Sequence, residues 1–327
     1  MIPTLSKALS FIAVGMLAMA GAATCAQTFP TKPIRIVIPF VAGGASDIVG
    51  RLLGQKFQEY FGQPALVENR PGANGALAAE FVAKADPDGH TILVGSIGVF
   101  SINDAVHKGA LRYRALRDFA PITLAVTTPS VLITRPDFPA RSLKEMVEYG
   151  RRNPGKLSFC SGGAGSSDHL AAELFKQATG IFAVHVPYRG GAACQIDVMG
   201  GQIDFSFQNM GAVTGYIKAG RMKAFAVTTP QRHPQLPQVP TTGEAGLPDV
   251  VITTWQAVAA PAKTPPEVVA RLNDAAVRAL RSPDVQDKLA QMGFDVVAGS
   301  ADEFGRFMKA EVERWTRVVD ARGIKPD

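Results

Sequence analysis

The feature that most constrains the fold is an alternation between short apolar runs and longer amphipathic segments. The runs IRIVIPF, ALVENR and TILVGSIG are separated by SDIVGRLLGQKFQEYFG and GALAAEFVAKA. Short apolar runs bounded by turn residues predict strands, and apolar residues spaced three or four apart predict helices. Strands that alternate with helices indicate βαβ units in a mostly parallel sheet. We therefore predict an α/β fold with helices on the faces of the sheet.

The alternation starts again after the segment APITLAVTTPSVLITRP. The helical pattern SLKEMVEYGRRNP leads to the strand KLSFCSG, and SDHLAAELFKQATG, AVHVPY, GGAACQIDVMGG and IDFSFQN continue the series. A second α/β unit therefore follows the first. The runs MKAFAVTT and VITTWQAVAAP then flank PQRHPQLPQVPTTGEAGLP, a loop with too many prolines for a helix or a central strand.

The residues after Pro265 hold three further helical patterns, which need a sheet to pack on, and the first unit is the nearest candidate. A chain of 327 residues suits two domains of roughly 150 residues each. We predict that residues 27–124 and 251–327 form lobe 1 and that residues 125–250 form lobe 2. Two crossings would join the lobes, leaving a cleft at the carboxyl ends of the strands, where open α/β sheets bind ligands.

The first 26 residues have the pattern of a secretory signal peptide. Lys7 precedes the apolar run ALSFIAVGMLAMAGAA, and a small-residue stretch ending in TCAQ follows. The apolar run is shorter than the roughly 20 residues that span a bilayer, which disfavours a transmembrane anchor. A lipoprotein acylated at Cys25 is the minor alternative, because it requires a large aliphatic residue at Ala22. We expect cleavage near Ala26.

Charge and cysteine content restrict the possible partners. The formal net charge of +6 falls to +5 when Lys7 is removed, and the lysines and arginines are scattered, so no patch for nucleic acid stands out. The mature chain keeps Cys160 and Cys194 in an oxidising compartment. They could form a disulfide or remain two buried thiols, and sequence distance alone does not decide between these alternatives.

Two glycine-rich loops are the best candidates for a binding site. In PFVAGGASD, Gly43 and Gly44 permit a tight turn, and Ser46 or Asp47 can cap the next helix. The loop CSGGAGSSDHL repeats this order of strand, glycines, hydroxyls and helix. Open N–H groups at a helix start bind anions, although each loop could also be only a tight connection. One such loop in each lobe favours an anion site in the cleft.

Two further loops could line the same cleft: SIGVFSIN from Ser96 to Asn103 and VPYRGGA from Val186 to Ala192. In the second, Tyr188 offers an aromatic face and a hydroxyl, and Arg189 could hold a carboxylate with two hydrogen bonds. The turn NRPGANG, which precedes a helix, is assigned a structural role.

Enzyme chemistry finds no support in the sequence. The chain lacks the G-x-S-x-G, G-x-G-x-x-G and G-x-x-x-x-G-K-[ST] motifs, and its five histidines have no metal-site spacing. Ser166, Asp168 and His169 lie too close on one helical turn to form a triad, and His169 is expected to pack or cap near its loop. Cys160 could be a nucleophile beside His185, but a structural cysteine is favoured. We predict no catalytic residue, no metal and no cofactor.

Six segments together resemble the Bug-type periplasmic receptors of the tripartite tricarboxylate transporter systems. They are FPTKPIRIVIPFVAGGASDIVGRLL, VENRPGANG, ADPDGHTILVGS, VHVPYRGG, GGQID and VPTTGEAGLPD. They occur in the family's order over essentially the whole mature chain. The resemblance implies a two-lobed, type II periplasmic-binding-protein fold that closes on a small carboxylate in the periplasm. A membrane permease would then receive the ligand, and the receptor would act as a monomer.

The resemblance also implies which residues contact the ligand. In the family, the two glycine-rich loops grip carboxylate oxygens through N–H groups, hydroxyls and water. The residues carried over from the loops are Val41, Ala42, Gly43, Gly44, Ala45, Ser46 and Asp47, and Ser161, Gly162, Gly163, Ala164, Gly165, Ser166 and Ser167. The wall residues are Gly98, Val99, Phe100, Tyr188, Arg189, Gly190 and Asn209.

Several positions depart from the family's pattern near this site. Gln208 precedes Asn209 where the family often has an Asp-Asn pair, which removes a carboxylate from the pocket edge. Ala193, Cys194 and Gln195 lie where the family tends to have Pro, Ala and an aliphatic residue, and Cys160 is also unusual at its position. These departures leave the ligand open among dicarboxylates, citrate-like acids, aromatic acids, amino acids and amides. Phe100, Tyr188 and Trp255 could form an apolar wall, or Phe100 and Trp255 could be core or hinge residues.

Other functions also remain open. The receptor could be a ligand sensor that feeds a signalling system, and a secreted hydrolase is the remaining enzymatic alternative. The effector domain of a cytosolic regulator can share this fold, but the leader and the absence of a DNA-binding module before Ile34 argue against it.

Overall fold

The structure is a computed structural model that describes residues 29–322. The strands are β1 (Ile34–Ile38), β2 (Ala65–Asn69), β3 (Thr91–Ser96), β4 (Phe119–Thr134), β5 (Leu157–Ser161), β6 (Ala183–Pro187), β7 (Phe205–Asn209), β8 (Lys223–Val227), β9 (Thr253–Pro261) and β10 (Asp295–Val296). The α-helices are α1 (Ala45–Phe61), α2 (Ala76–Ala83), α3 (Asn103–His107), α4 (Ala115–Asp118), α5 (Leu143–Arg152), α6 (Ser167–Thr179), α7 (Gly191–Met199), α8 (Met210–Lys218), α9 (Pro266–Leu280), α10 (Pro283–Met292) and α11 (Ala301–Arg322). A 3₁₀ turn covers Ala73–Gly75 and a π-helical turn covers Gly98–Ile102.

The strands pair in the order β2-β1-β3-β9-β4-β7-β5-β6, and β8 and β10 also pair with β4. The pairings β1–β2, β1–β3, β5–β6 and β5–β7 are parallel, as the βαβ pattern predicts. The pairings of β9 with β3 and β4, and of β4 with β7 and β8, are antiparallel. The sheet is therefore more mixed than expected, because β4 and β9 run antiparallel to their neighbours at its centre.

The long strand β4 belongs to both halves of the sheet. Its first part, Phe119 to Pro129, pairs with β9, and its last part, Ser130 to Thr134, pairs with β7. Strand β4 therefore passes from one half of the sheet to the other, whereas β9 pairs with β3 and with the first part of β4. The lobe boundaries at residues 124 and 250 remain a prediction.

Two of the three helices after Pro265 pack on the sheet through their apolar stripes, and the third, α10, lies against α8 and β10. Helix α9 lies against α1 and β4, and α11 lies against β4 and the π-helical turn. Burying an apolar stripe on a sheet removes its side chains from water, which is the main source of their stability. In the described range, no helix is both long enough and apolar enough to cross a membrane. The predicted signal peptide lies outside the described residues.

Cys160 and Cys194 form a disulfide, which settles the question that the sequence left open. The bond joins the end of β5 to the first turn of α7, and both residues are fully buried. Their cluster includes Val131, Ile133 and Val198. The disulfide therefore fixes the position of α7 against the sheet.

Candidate ligand-binding site

Four helices begin around one small cavity at the carboxyl ends of β1, β3, β5 and β7. We call this the inner cavity, and its volume is about 40 Å³. Its lining consists of Phe40, Gly44, Ala45, Ser46, Ser96, Gly162, Ser166, Ser167, Asp168, Gly191, Gln195, Gln208, Asn209, Ala212 and Gln256. Helices α1, α6, α7 and α8 all contribute residues from their first turns or caps. The first N–H groups of a helix have no partner within the helix and carry partial positive charge. An anion in the cavity would therefore meet four such ends.

The loop between β1 and α1 is held by Asp47, which does not point at the cavity. Its carboxylate accepts hydrogen bonds from the Gly43 N–H at 3.0 Å, from Arg51 Nε at 2.9 Å and from Asn69 Nδ2 at 2.9 Å. Burial by itself raises the pKa of Asp47, but these hydrogen bonds and the Arg51 charge lower it below its usual value. Asp47 thus stays ionised and locks the turn. The start of α1 is left free, because its cap residue Gly44 has no side chain to occupy it.

Ser46 connects this helix start to the crossing strand β9. The Ser46 hydroxyl donates to Gln256 Oε1 at 2.5 Å, and both residues are buried. Ser46 occupies one of the two acceptor sites of the Gln256 oxygen, and the Gln256 amide also has N–H donors to offer a ligand.

The loop between β5 and α6 is held by side chains on both sides. Ser166 caps α6 by accepting from the His169 N–H at 3.3 Å. His169 Nδ1 accepts from the Gly165 N–H at 3.0 Å, so this histidine packs beside its loop as expected. Ser161 Oγ contacts His185 Nε2 at 2.7 Å, and the two imidazole rings stack with centroids 4.1 Å apart. The shape of the loop therefore depends on the two histidines.

A network of amide side chains forms the floor of the inner cavity. Gln195 Nε2 donates to Gln208 Oε1 at 3.0 Å, and Gln208 Nε2 lies 3.4 Å from Asp168 Oδ2. Asp168 also accepts from the Gly162 N–H at 3.2 Å and from Ser167 Oγ at 3.4 Å. Burial raises the pKa of Asp168 to about 7, although the hydrogen bonds from Gly162 and Ser167 act to lower it. A carboxyl group is thus present at the cavity, although Gln208 itself carries none.

The disulfide lies directly under this network. Gln208 Nε2 is 3.3 Å from Cys194 Sγ and 2.9 Å from Ser206 Oγ, which donates to the Cys160 carbonyl at 2.7 Å. The departures that the sequence shows at Cys194, Gln195 and Gln208 therefore form one connected group.

An outer cavity of about 310 Å³ adjoins the inner one, and both are lined by Phe40 and Gly162. Its other lining residues are Gly72, Ala73, Asn74, Gly75, His107, Gly163, Ala164, Pro187, Tyr188 and Arg189. A volume of this size lies at the lower end of the range for small-molecule sites. The Tyr188 hydroxyl is bonded to Asp197, and burial together with this bond raises the pKa of Tyr188 to about 12. Tyr188 thus offers the ligand its ring face and not its hydroxyl.

The two sides of the cleft approach each other closely at glycines. A Cβ at Gly190 would lie 3.1 Å from Val41 Cγ2 and 3.3 Å from Phe40 Cβ, and one at Gly163 would lie 3.4 Å from Asn74 Cα. Both glycines have positive φ, 135° and 136°. Only glycine therefore fits where these two backbones meet.

The residues predicted from the sequence fall into three groups. Those that line the inner cavity are Gly44, Ala45, Ser46, Gly162, Ser166, Ser167 and Asn209, and those that line the outer cavity are Gly162, Gly163, Ala164, Tyr188 and Arg189. Those that line neither are Val41, Ala42, Gly43, Asp47, Gly98, Val99, Phe100, Ser161, Gly165 and Gly190. Phe100 is fully buried and stacks on Trp255 with a centroid distance of 6.2 Å, so these two residues belong to the core.

Sequence reasoning did not select several lining residues. Gln256 is the clearest, because a buried glutamine in the otherwise apolar half of β9 is a recognisable signal. Asp168 is not among the ligand contacts that the sequence predicts. Gln195 and Gln208 are noted in the sequence only as departures from the family's pattern. Asn74 was given a structural role, and it does bond to Asn103 at 2.8 Å while it lines the outer cavity.

A larger groove of about 850 Å³ lies at the opposite end of the strands, beside Arg35 of β1 and Thr91 of β3. It is lined by long charged side chains such as Lys32, Lys84 and Asp86. Ligands of open α/β sheets bind at the carboxyl ends of the strands, and this groove is at the amino ends. We therefore do not assign this groove as the ligand-binding site, although it is larger than the inner and outer cavities.

Comparisons with known proteins identify the family of this chain. Residues 49–324 match the profile of TctC, the tripartite tricarboxylate transporter family receptor. A UPF0065 protein from the tcbD-tcbE intergenic region of Pseudomonas sp. (strain P51) is 39% identical, and the match covers 96% of this chain and 93% of that protein. Protein BugT of Bordetella pertussis is 33% identical, with 96% of each chain covered.

Solved structures show the same architecture. The structure of a periplasmic transporter matches with a TM-score of 0.89 at 38% identity, over 91% of this chain and 100% of that one. Rpa4515 of R. palustris with adipate matches with a TM-score of 0.88 at 34% identity, again over 91% and 100%. MatC of Rhodopseudomonas palustris with bound malate matches with a TM-score of 0.85 at 33% identity, over 89% and 100%.

Proposed function

The chain belongs to the tripartite tricarboxylate transporter receptor family and is a solute-binding receptor with a two-lobed periplasmic-binding-protein fold; we propose that it captures a small organic carboxylate between α1, α6, α7 and α8. The observation that carries this proposal is the convergence of four helix starts on the inner cavity. Their N–H groups, the Ser166 hydroxyl and the Gln256 amide N–H groups supply donors for carboxylate oxygens. Two similar proteins hold carboxylic acids, adipate and malate.

The proposed mechanism is closure of the two halves around the ligand. Residues from both halves line each cavity, so a ligand that contacts both stabilises the closed arrangement more than the open one. A membrane permease of the same transport system would recognise the closed receptor and accept the ligand. The protein would be a periplasmic monomer whose residues 1–26 are removed on export, and it would carry out no chemical reaction.

The experiment that tests this function is a thermal-shift measurement on residues 27–327. The panel contains aliphatic di- and tricarboxylates, aromatic acids, amino acids and neutral amides. A ligand that binds only the folded protein raises its melting temperature by mass action. We expect a concentration-dependent rise with carboxylates and none with the amides of the same acids.

A matched pair of glycine variants localises the binding. At Gly44, φ is −83° and a Cβ has open space apart from Val41 O at 3.9 Å, so Gly44→Leu should fold and fill the inner cavity. Gly215 lies on the exposed face of α8 with nothing within 4 Å, so Gly215→Leu is the control. Loss of the shift in the first variant alone supports the proposal. A purified, ligand-free protein that responds to no carboxylate contradicts it.

A further inference from the structure

The inner cavity combines two features with opposite effects on an anion. The helix starts attract an anion, whereas a buried carboxyl group repels it when ionised. Asp168 is 4% exposed and lines the same cavity as the four helix starts. In residues 29–322, no lysine or arginine forms an ion pair with it. A ligand carboxylate at the helix starts would therefore share a small space with Asp168.

The hydrogen bonds to Asp168 are long. Gly162 N–H, Ser167 Oγ and Gln208 Nε2 lie 3.2, 3.4 and 3.4 Å from its oxygens. Hydrogen bonds to a carboxylate are typically about 2.7 to 2.9 Å. Asp168 thus keeps acceptor capacity towards the cavity, where the ligand would lie.

The position of Asp168 is nevertheless fixed. A Cβ at Gly162 would lie 3.3 Å from Asp168 Oδ2, and Gln208 is anchored by Ser206 and Gln195. A side chain that is held in place by its neighbours can discriminate between ligands, because it cannot turn away from one that fits poorly.

Two like charges in a buried site repel each other and raise the free energy of the complex unless a proton or a hydrogen-bond donor lies between them. Burial raises the pKa of Asp168 to about 7, so near neutral pH this group is partly ionised. An acid without a donor would bind only with the protonated form of Asp168. An acid with a hydroxyl or ammonium group beside its carboxylate could donate to the ionised form.

We propose that Asp168 forms a subsite for a hydrogen-bond donor next to the ligand's carboxylate, so that the receptor prefers hydroxy or amino acids to unsubstituted acids. This inference rests on the proposed function. A hydroxyl and an ammonium group share the donor chemistry, and the test separates them.

The test is isothermal titration of the full mature protein with three sets of acids that share a skeleton. The sets are succinate, malate and aspartate; propionate, lactate and alanine; and phenylacetate, mandelate and phenylglycine. We expect the hydroxy or amino member of the set that binds to exceed its unsubstituted member by tenfold or more in affinity. A charge-assisted hydrogen bond of about 1.5 to 3 kcal/mol corresponds to that range.

Asp168→Asn is the decisive variant, because it keeps the shape of the side chain and removes the charge. The preference should fall at least fivefold, and Asp204→Asn should leave it unchanged. Asp204 is a matched control, because it accepts from Ser158 at the other end of β5, away from the cavity. A purely structural Asp168 would lower the melting temperature of the variant and leave the preference intact, which would overturn the subsite.

The wild-type protein provides a second test that needs no variant. The ratio of the affinities for a hydroxy acid and its unsubstituted parent should rise between about pH 6.5 and pH 8.5, as Asp168 loses its proton. His169 and His185 lie beside the same loop, and any effect of theirs that is common to both ligands cancels in the ratio. A constant ratio overturns the subsite.

The failure of this inference can be told from the failure of the proposed function. If the acids bind without preference for a donor, the donor subsite is wrong and the receptor function stands. If no acid in any set binds, the carboxylate function itself fails, and the subsite fails with it.

Discussion

A side chain can serve a binding site without touching the ligand, and Asp47 does so. Its carboxylate holds the Gly43 N–H, Arg51 and Asn69 in place, which leaves the start of α1 open to the cavity. Gly191 has a comparable role at the start of α7, where a Cβ would lie 2.6 Å from Gln208 Oε1. The shape of the site therefore depends on residues that leave the helix starts uncovered as well as on the residues that line it.

Asp47→Asn should lower the free energy of unfolding at neutral pH and make it less dependent on pH in the acid range. The folded-state pKa of Asp47 is depressed, so its contribution is present above the unfolded-state pKa of about 3.8 and is lost as pH falls through the folded-state value. Urea unfolding at pH 7 and at about pH 3 measures this. The variant should be less stable than wild type at pH 7, and the difference should shrink at acid pH. An equal difference at both pH values would contradict the assignment.

Gly191→Ala should weaken ligand binding, because the added methyl group must displace the Gln208 side chain. We expect a loss of at least fivefold in affinity and a stability cost of about 1 to 3 kcal/mol, as for other overpacked sites. Gly215→Ala is the control, since a Cβ there has open space, and alanine should stabilise α8 by up to about 1 kcal/mol. Titration calorimetry and urea unfolding of both variants give the comparison. Unchanged affinity in Gly191→Ala would remove Gln208 from the site.

At the level of elements, the helix starts were predictable from the sequence, whereas the pairing partners of β9 were not. Glycine and hydroxyl residues before α1 and α6 identify both loops locally, because turn and cap chemistry acts over a few residues. Gln256 reaches the cavity only because β9 returns from residue 253 to lie beside β3 and β4. Phe100 is predicted to line the site but lies in the core, because it stacks on Trp255 of the same distant strand. Local patterns therefore predicted the loops, and long-range pairing determined the rest.

The disulfide is the strongest link between two elements of the site. It closes a loop with a sequence separation of 34 residues between β5 and α7, and such a loop corresponds to about 3 to 4 kcal/mol of stability. The double variant Cys160→Ala/Cys194→Ala should lose about this much in urea unfolding. Reductant should lower the stability of the wild type in the same way and leave the variant unchanged. No effect of reductant on the wild type would show that the bond is absent in solution.

At the scale of the whole molecule, the proposed function depends on how closely the two halves approach. We expect small-angle scattering to show a smaller radius of gyration with saturating ligand than without it. Gly190→Ala should abolish this change, because its Cβ would press on Val41 and Phe40 across the cleft. Gly220→Ala is the control: Gly220 also has positive φ, 67°, but nothing lies within 4 Å of its Cβ. A normal ligand-induced decrease in Gly190→Ala would contradict the role of this contact.

The path of β4 and β9 has a consequence for the order in which the chain can fold. Strands β4 to β8 lie within residues 119–227, so that half of the sheet is complete in one stretch of chain. The other half begins earlier, with β1 at residue 34, but β3 pairs with β9, which ends at residue 261. A polypeptide synthesised from its amino end thus delivers every strand of the inner stretch before it delivers the strand that joins β3 to β4. Strand β3 is complete at residue 96, but its second partner, β9, begins only at residue 253.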